Sequence, residues 1–224
     1  MKKVTLSLLI IFSFMFVSCN NEEQFIEAKT ISIENKDAVL QELQKFTQYS
    51  IKGVTIFYDK TNDFVDLERL DQYISEFNFS NKLISRSKSE NHNTYTTINY
   101  ESALKGILSP DACNLLLSYI SSYEQINKES LEQLRNKFST LSNSDKEFFE
   151  LMYSAINVID SEIMSFNKNK INTRVDSALI CNLAMALGGS AASWIWGSAF
   201  GGPVGVAIAI AWELAATTTA YYTC

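Results

Sequence analysis

From Ser177 to Cys224 the chain carries one charged side chain, Glu213, although the whole protein has 44 formally charged Lys, Arg, Asp and Glu residues, 25 of them acidic. The same stretch holds all three tryptophans and six of the eight glycines. Alanine-rich apolar helices serve equally as buried core and as membrane spans, so this composition demands enclosure without saying by what. Gly201-Gly202-Pro203 interrupts the stretch near its middle. Glycine is a natural helix terminator, and proline pre-sets φ for the first turn of a following helix. The spacing therefore predicts two apolar helices of about 20 residues folded back on each other, each roughly 30 Å long, close to the hydrocarbon thickness of a bilayer.

Cys181 and Cys224 lie almost equidistant from that break, so a fold-back brings them together at the open end. Three pairings of Cys113, Cys181 and Cys224 can be drawn, and the symmetric pair Cys181–Cys224 is the expected one. Closing that loop would stabilise the hairpin by about 4 kcal/mol on the chain-entropy account. Ala184, Gly188 and Ala192 on one arm, and Ala207, Ala211 and Ala215 on the other, form small-residue ridges that let helix backbones approach closely. Trp194, Trp196, Trp212, Tyr221 and Tyr222 are candidates for interfacial belts. Glu213, about halfway along the second arm, would cost ~2.5–3.5 kcal/mol if ionised in a bilayer centre. In a core it needs only a hydrogen bond.

The front end reads MKKVTLSLLIIFSFMFVSC: two lysines, an apolar run from Val4 to Val17, and Ser18 before Cys19. The run is short for a span and has signal-peptide proportions. The Ser18-Cys19 junction resembles the lipobox of bacterial lipoproteins, with Phe16 where leucine is commonest. The resemblance implies cleavage before Cys19 and acylation of that cysteine. The following CNNEEQF resembles the surface-export signal of Bacteroidota lipoproteins, which implies an outer-membrane or cell-surface location. Removing residues 1–18 takes away two lysines and no acids, moving the net charge from −6 to −8. Such a balance argues against a nucleic-acid partner, since phosphate binding wants a basic surface.

Between these ends, residues 36–166 read as amphipathic helices. Val39, Leu40, Leu43 and Phe46 make one apolar face; Leu67, Leu70, Ile74 and Phe77 make another. Cys113, Leu116, Leu117 and Ile120 follow Ser109-Pro110, a cap and first-turn proline. Leu131, Leu134, Phe138 and Leu141 repeat the spacing. Phe148, Met152, Ala155, Ile159 and Ile163 do so again, behind a capping box expected at Ser144 and Glu147. Residues 53–59 (GVTIFYD) and 94–100 (TYTTINY) read as strands. The expectation is a mainly α fold: a helical body with a small β patch, and a C-terminal antiparallel hairpin of apolar helices. Residues 1–18 are the signal, 19–35 a tether, 36–166 the body, 167–176 a linker and 177–224 the hairpin.

Catalytic, metal and cofactor sites are not expected. His92 is the single histidine and sits in a polar stretch, too isolated for a triad or a metal site. Residues 59–63 (DKTND) start like a calcium loop, but Phe64 stands where glycine is required and Leu70 where the bidentate glutamate belongs. Cys113 is expected as a buried free thiol.

In architecture, Cys181, Gly201-Gly202-Pro203 and Cys224 within an apolar C-terminal segment resemble secreted bacteriocin-like toxins of the sporulation-delaying-protein type. That resemblance covers residues 177–224. It implies a precursor whose hairpin is released by proteolysis and depolarises competing cells, with a matching immunity protein as partner. Lys168, Lys170 and Arg174 mark the expected processing region, and the acylated Cys19 departs from that family's pattern. The competing expectation is a non-enzymatic surface lipoprotein with a structural or partner-binding role, its tail docked on its own body.

Overall fold

The computed structural model describes residues 36–79, 100–122, 127–170, 177–190, 192, 193, 195 and 202–224. Among these, eight helices carry the fold: α1 (Lys36–Phe57), α2 (Leu67–Ser75), α3 (Tyr100–Lys105), α4 (Pro110–Ser121), α5 (Lys128–Phe138), α6 (Asn143–Lys170), α7 (Ser177–Gly189) and α8 (Gly202–Thr223). Two short strands, β1 (Tyr58–Asp59) and β2 (Phe64–Val65), form an antiparallel pair between α1 and α2. The protein is thus mainly helical with a small β patch and a C-terminal apolar helix, as its periodicities predict.

The predicted faces pack as expected except at Leu67, which was placed on the inner face of α2 but, as that helix's first residue, is 42% exposed. Leu43, Phe46, Leu70, Ile74, Leu116, Phe138, Phe148, Met152, Ala155, Ile159 and Ile163 are all buried in one core. Buried Cys113 is a free thiol, its pKa raised by burial, which Lys105 opposes and Glu101 reinforces. Ser109 caps α4, with Pro110 in the first turn. Gly53 lets α1 approach α2: a Cβ there would lie 2.7 Å from Tyr73 Cδ1 and 2.9 Å from Leu70 Cδ1.

Two local expectations are corrected. Residues 53–57 are the last turn of α1 and only Tyr58 and Asp59 pair as a strand. The run Val39, Leu43, Phe46, Ser50, Val54 is buried at helical spacing, and this long stripe prevails over the short alternation of β-branched residues; Ile56, inward on a strand reading, is 54% exposed. The N-cap of α6 is Ser142, two residues earlier than expected. Ser142 Oγ accepts from the Asp145 amide (3.2 Å) and donates to Asp145 Oδ2 (2.6 Å). Asp145 is chosen because it also reaches across the fold, accepting from the Ser109 amide (3.0 Å) and hydroxyl (2.8 Å) and so pinning the start of α4 to the start of α6. Burial by itself would raise the Asp145 pKa, but the hydrogen bonds from Ser142 and Ser109 outweigh it and hold the carboxyl below its ordinary value. Of residues 94–100 only Tyr100 is described, as the first residue of α3; the rest of that expected strand, and His92, lie outside the described residues.

Elsewhere α5 is tied to α6 by Arg135, whose Nε and Nη2 donate to the two carboxylate oxygens of Glu150 at 2.8 and 2.9 Å. The guanidinium also lies 4.4 Å from the Tyr153 ring centre. These contacts set the direction of α6, the helix on which the tail rests.

Candidate functional site: the clasped apolar hairpin

The tail is where the sequence departs most from an ordinary helical domain. Helices α7 and α8 run antiparallel, because higher numbers on one meet lower numbers on the other. Cys181 and Cys224 are disulfide-bonded with Cα atoms 5.0 Å apart. A Cβ on Gly188 would lie 3.3 Å from the Ala216 Cβ, and Trp212 Nε1 donates to the Leu187 carbonyl at 2.8 Å. The small-residue ridges do what their spacing implies: Ala184, Ala192, Ala207, Ala211 and Ala215 are buried, and Gly188 sits against α8 where even a methyl group would be a tight contact with Ala216.

At the turn end, Gly202 opens α8 with φ +51, a left-handed conformation that glycine adopts without a steric penalty, and Pro203 follows within the first turn. Gly201 lies outside the described residues, as do Trp194 and Trp196. α8 has 22 residues, and its Gly202–Tyr221 segment is long and apolar enough to cross a membrane; α7 has 13 and ends at Gly189, and residues 192, 193 and 195 beyond it are again helical. The end of α7 exposes carbonyls that have no partner within the helix. Leu187 solves this by accepting from both Trp212 Nε1 and the Ser190 hydroxyl (3.0 Å).

The body encloses this hairpin. α8 packs chiefly on α6 and α7, and α7 also touches α1 and β2. Trp212 meets Phe46 of α1 edge-on at 5.3 Å between ring centres. Val206, Ala207, Ile208, Ala209, Ile210, Ala211 and Trp212 are consecutive buried residues, so α8 has no face reserved for water along that length. Body and tail share one hydrophobic core.

Glu213 lies next in the chain. Part of its side chain remains accessible, but its carboxyl is enclosed by protein. Burial raises its pKa from 4.5 to about 7, and a hydrogen bond with the buried Ser193 opposes the rise. The group is therefore poised to change charge near neutral pH while the tail is docked. Sequence reasoning found Glu213 but not Ser193, since a serine four residues past Gly189 gives no sign of facing the other arm.

Asn182, the single carboxamide of the tail, was likewise unmarked. Its Nδ2 donates to Asp63 Oδ1 in the β1–β2 turn at 2.8 Å. A lone amide in an apolar helix is the signal that could have revealed this contact. Residues 59–63, where the sequence already argues against a calcium loop, form an internally bonded turn: Asp59 Oδ1 accepts from the Thr61 amide at 2.7 Å and Asp59 Oδ2 from Asn62 Nδ2 at 2.8 Å. Among the described residues no group of three or more His, Cys, Asp or Glu side chains is arranged to hold a metal.

Of the expected processing region, Lys168 and Lys170 belong to the last turn of α6, which carries on to Lys170, while Arg174 lies outside the described residues, as does Cys19. No known protein family matches the chain, and no match was found among curated proteins or solved structures.

Proposed function

We propose that this is a lipid-anchored, non-enzymatic protein whose helical body keeps a clasped apolar hairpin out of water, as the precursor of a membrane-active antibacterial segment. One observation carries the reading. The disulfide closes within the tail, Cys181 to Cys224, while the body supplies the enclosure that α8 needs. A clasp between tail and body would have made the two inseparable; a clasp inside the tail leaves them separable at residues 167–176. Once free of the body, a helix with no polar side has lipid as its available solvent. The mechanism follows: cleavage frees residues 177–224, the 22-residue α8 enters a bilayer, and the ion gradient is dissipated. A producing cell would need an immunity protein as partner. The Ser18-Cys19 junction supports the anchor and the following CNNEEQF stretch supports an outer-membrane or cell-surface position for the body, the freed fragment being secreted.

A second reading has its own support. Trp212 packs edge-on against Phe46 of the body, and Asn182 bonds to Asp63 at the surface, contacts that join tail to body. On that reading the tail never leaves, and the protein is a surface lipoprotein with a structural or partner-binding role. Expression in a bacterium that processes lipoproteins, followed by intact mass of cells and medium, separates the two. A secreted fragment starting between Asn167 and Cys181 with one internal disulfide supports delivery. A single acylated species that retains its tail supports the permanent core.

A further inference from the structure

The β1–β2 turn meets the first arm of the hairpin at a polar contact whose geometry is unusual for this fold. Asp63 has φ 54 and is the one non-glycine residue with positive φ among the described residues. Aspartate tolerates that region better than most side chains, yet the conformation still costs free energy and persists where surrounding contacts fix it. Here they do. Asp63 Oδ1 accepts from Tyr58 Oη at 2.7 Å, which fixes the carboxylate from within the β patch, and from Asn182 Nδ2 at 2.8 Å, which reaches it from α7. The neighbouring Asp59 folds the rest of the turn on itself through Thr61 and Asn62. One further contact runs along the same line: Leu67, at the start of α2, lies at the other end of α7, where a Cβ on Gly189 would sit 3.6 Å from Leu67 Cδ1. Asn182 and Gly189 are seven positions apart and so share a face of the helix. The segment from Asp63 to Leu67 therefore lies along α7 over about two turns.

α7 is the arm with the weaker hold on the body. α8 packs chiefly against α6, whereas α7 meets the body chiefly through α1 and this segment. We propose that the β1–β2 turn is a latch: the carboxylate of Asp63, oriented by Tyr58 and held in a left-handed backbone, grips Asn182 and keeps α7, and through the disulfide the end of α8, docked on the body. The latch is a restraint that precedes release, so its biological meaning rests on the delivery reading above, but its physical existence does not.

Amide hydrogen exchange of the full chain tests it. Asn182→Ala removes the donor, and Asp63→Gly removes the acceptor while easing the positive-φ backbone, so the second variant lowers turn strain as it breaks the grip. Each is expected to speed exchange of α7 amides about three- to tenfold, as loss of one intramolecular hydrogen bond does, with α4 and α5 unchanged. The double variant should exceed neither single one by much, because both remove the same bond. Unchanged α7 exchange in both variants, or effects that simply add, would overturn the latch. The same variants, mixed with lipid vesicles after cleavage at the linker, show which idea fails: faster α7 exchange without faster transfer of the tail to lipid keeps the latch and removes delivery, whereas unchanged exchange removes the latch whatever the tail does.

Discussion

Replacing the Glu213 carboxylate by an amide, Glu213→Gln, should abolish most of the pH dependence of the fold between about pH 5 and pH 8. In the docked state burial lifts this carboxyl from 4.5 to about 7. The folded protein then holds a proton that the unfolded chain releases, so stability falls as pH rises through that window. It is greatest below about 4.5, where both states are protonated, and the loss is complete once pH has passed the folded value. A change from 4.5 to about 7 corresponds to about 3 kcal/mol in all, of which about 2.5 kcal/mol falls between pH 5 and pH 8. Because part of the side chain is accessible, these figures are upper bounds. The substituted amide keeps the shape and a hydrogen-bonding group for Ser193 without the charge. Urea unfolding of both proteins at several pH values gives the answer as a difference, which cancels the background from other acids such as Asp160, also raised by burial to about 6 against the opposing pull of Lys128. The variant should match the parent below about pH 4 and exceed it by up to about 3 kcal/mol at pH 8. Parallel curves over the whole range would refute the idea that the carboxyl is enclosed when the tail is docked.

Three further substitutions probe the packing. Gly188→Leu should destabilise the fold by about 2–4 kcal/mol, since even a Cβ there meets Ala216 at 3.3 Å; a thermal midpoint equal to the parent's would mean the helices are not in close contact. Asp145→Ala should cost about 2–3 kcal/mol at pH 7, because it leaves Ser109 and Ser142 without their shared acceptor. The parent's advantage over that variant should shrink as pH falls through the lowered Asp145 pKa, the sign expected of a depressed carboxylate. Reducing the Cys181–Cys224 bond, or replacing both residues by Ser, should lower stability by about 4 kcal/mol while Cys113 stays unreactive in the native protein, a pattern that thiol labelling before and after denaturation reads directly.

Most of the fold was legible because its helices are amphipathic and their faces repeat. Phe148, Met152, Ala155, Ile159 and Ile163 fall on one stripe, and all five are buried. Where local and longer patterns competed, as at Val54 and Ile56, the longer one decided. The cap of α6 was misplaced because Ser142-x-x-Asp145 and Ser144-x-x-Glu147 are equivalent locally; the bond from Asp145 to Ser109, 36 residues away, breaks the tie. The hairpin and its cysteine pair were legible from spacing about Gly201-Gly202-Pro203. What spacing did not carry is the surface against which α8 rests. An all-round apolar helix presents the same sequence whether protein or lipid surrounds it, and only the packing of α6, Phe46 and the Asp63 turn distinguishes the two. The end of α7 was hidden for a related reason: Ser190 looks like any small residue of the run until its hydroxyl is seen closing that end on Leu187.

The central claim is that the body encloses a hairpin which is membrane-active once free. The most direct test is depolarisation of potassium-loaded vesicles by the oxidised fragment 177–224, set beside the intact protein without its signal and with Cys19 replaced by Ser. The account predicts rapid loss of the potential with the fragment and none with the intact chain. Equal inactivity of both, with the fragment shown by mass to carry its Cys181–Cys224 bond, would contradict it and leave the tail as the permanent core of a surface lipoprotein.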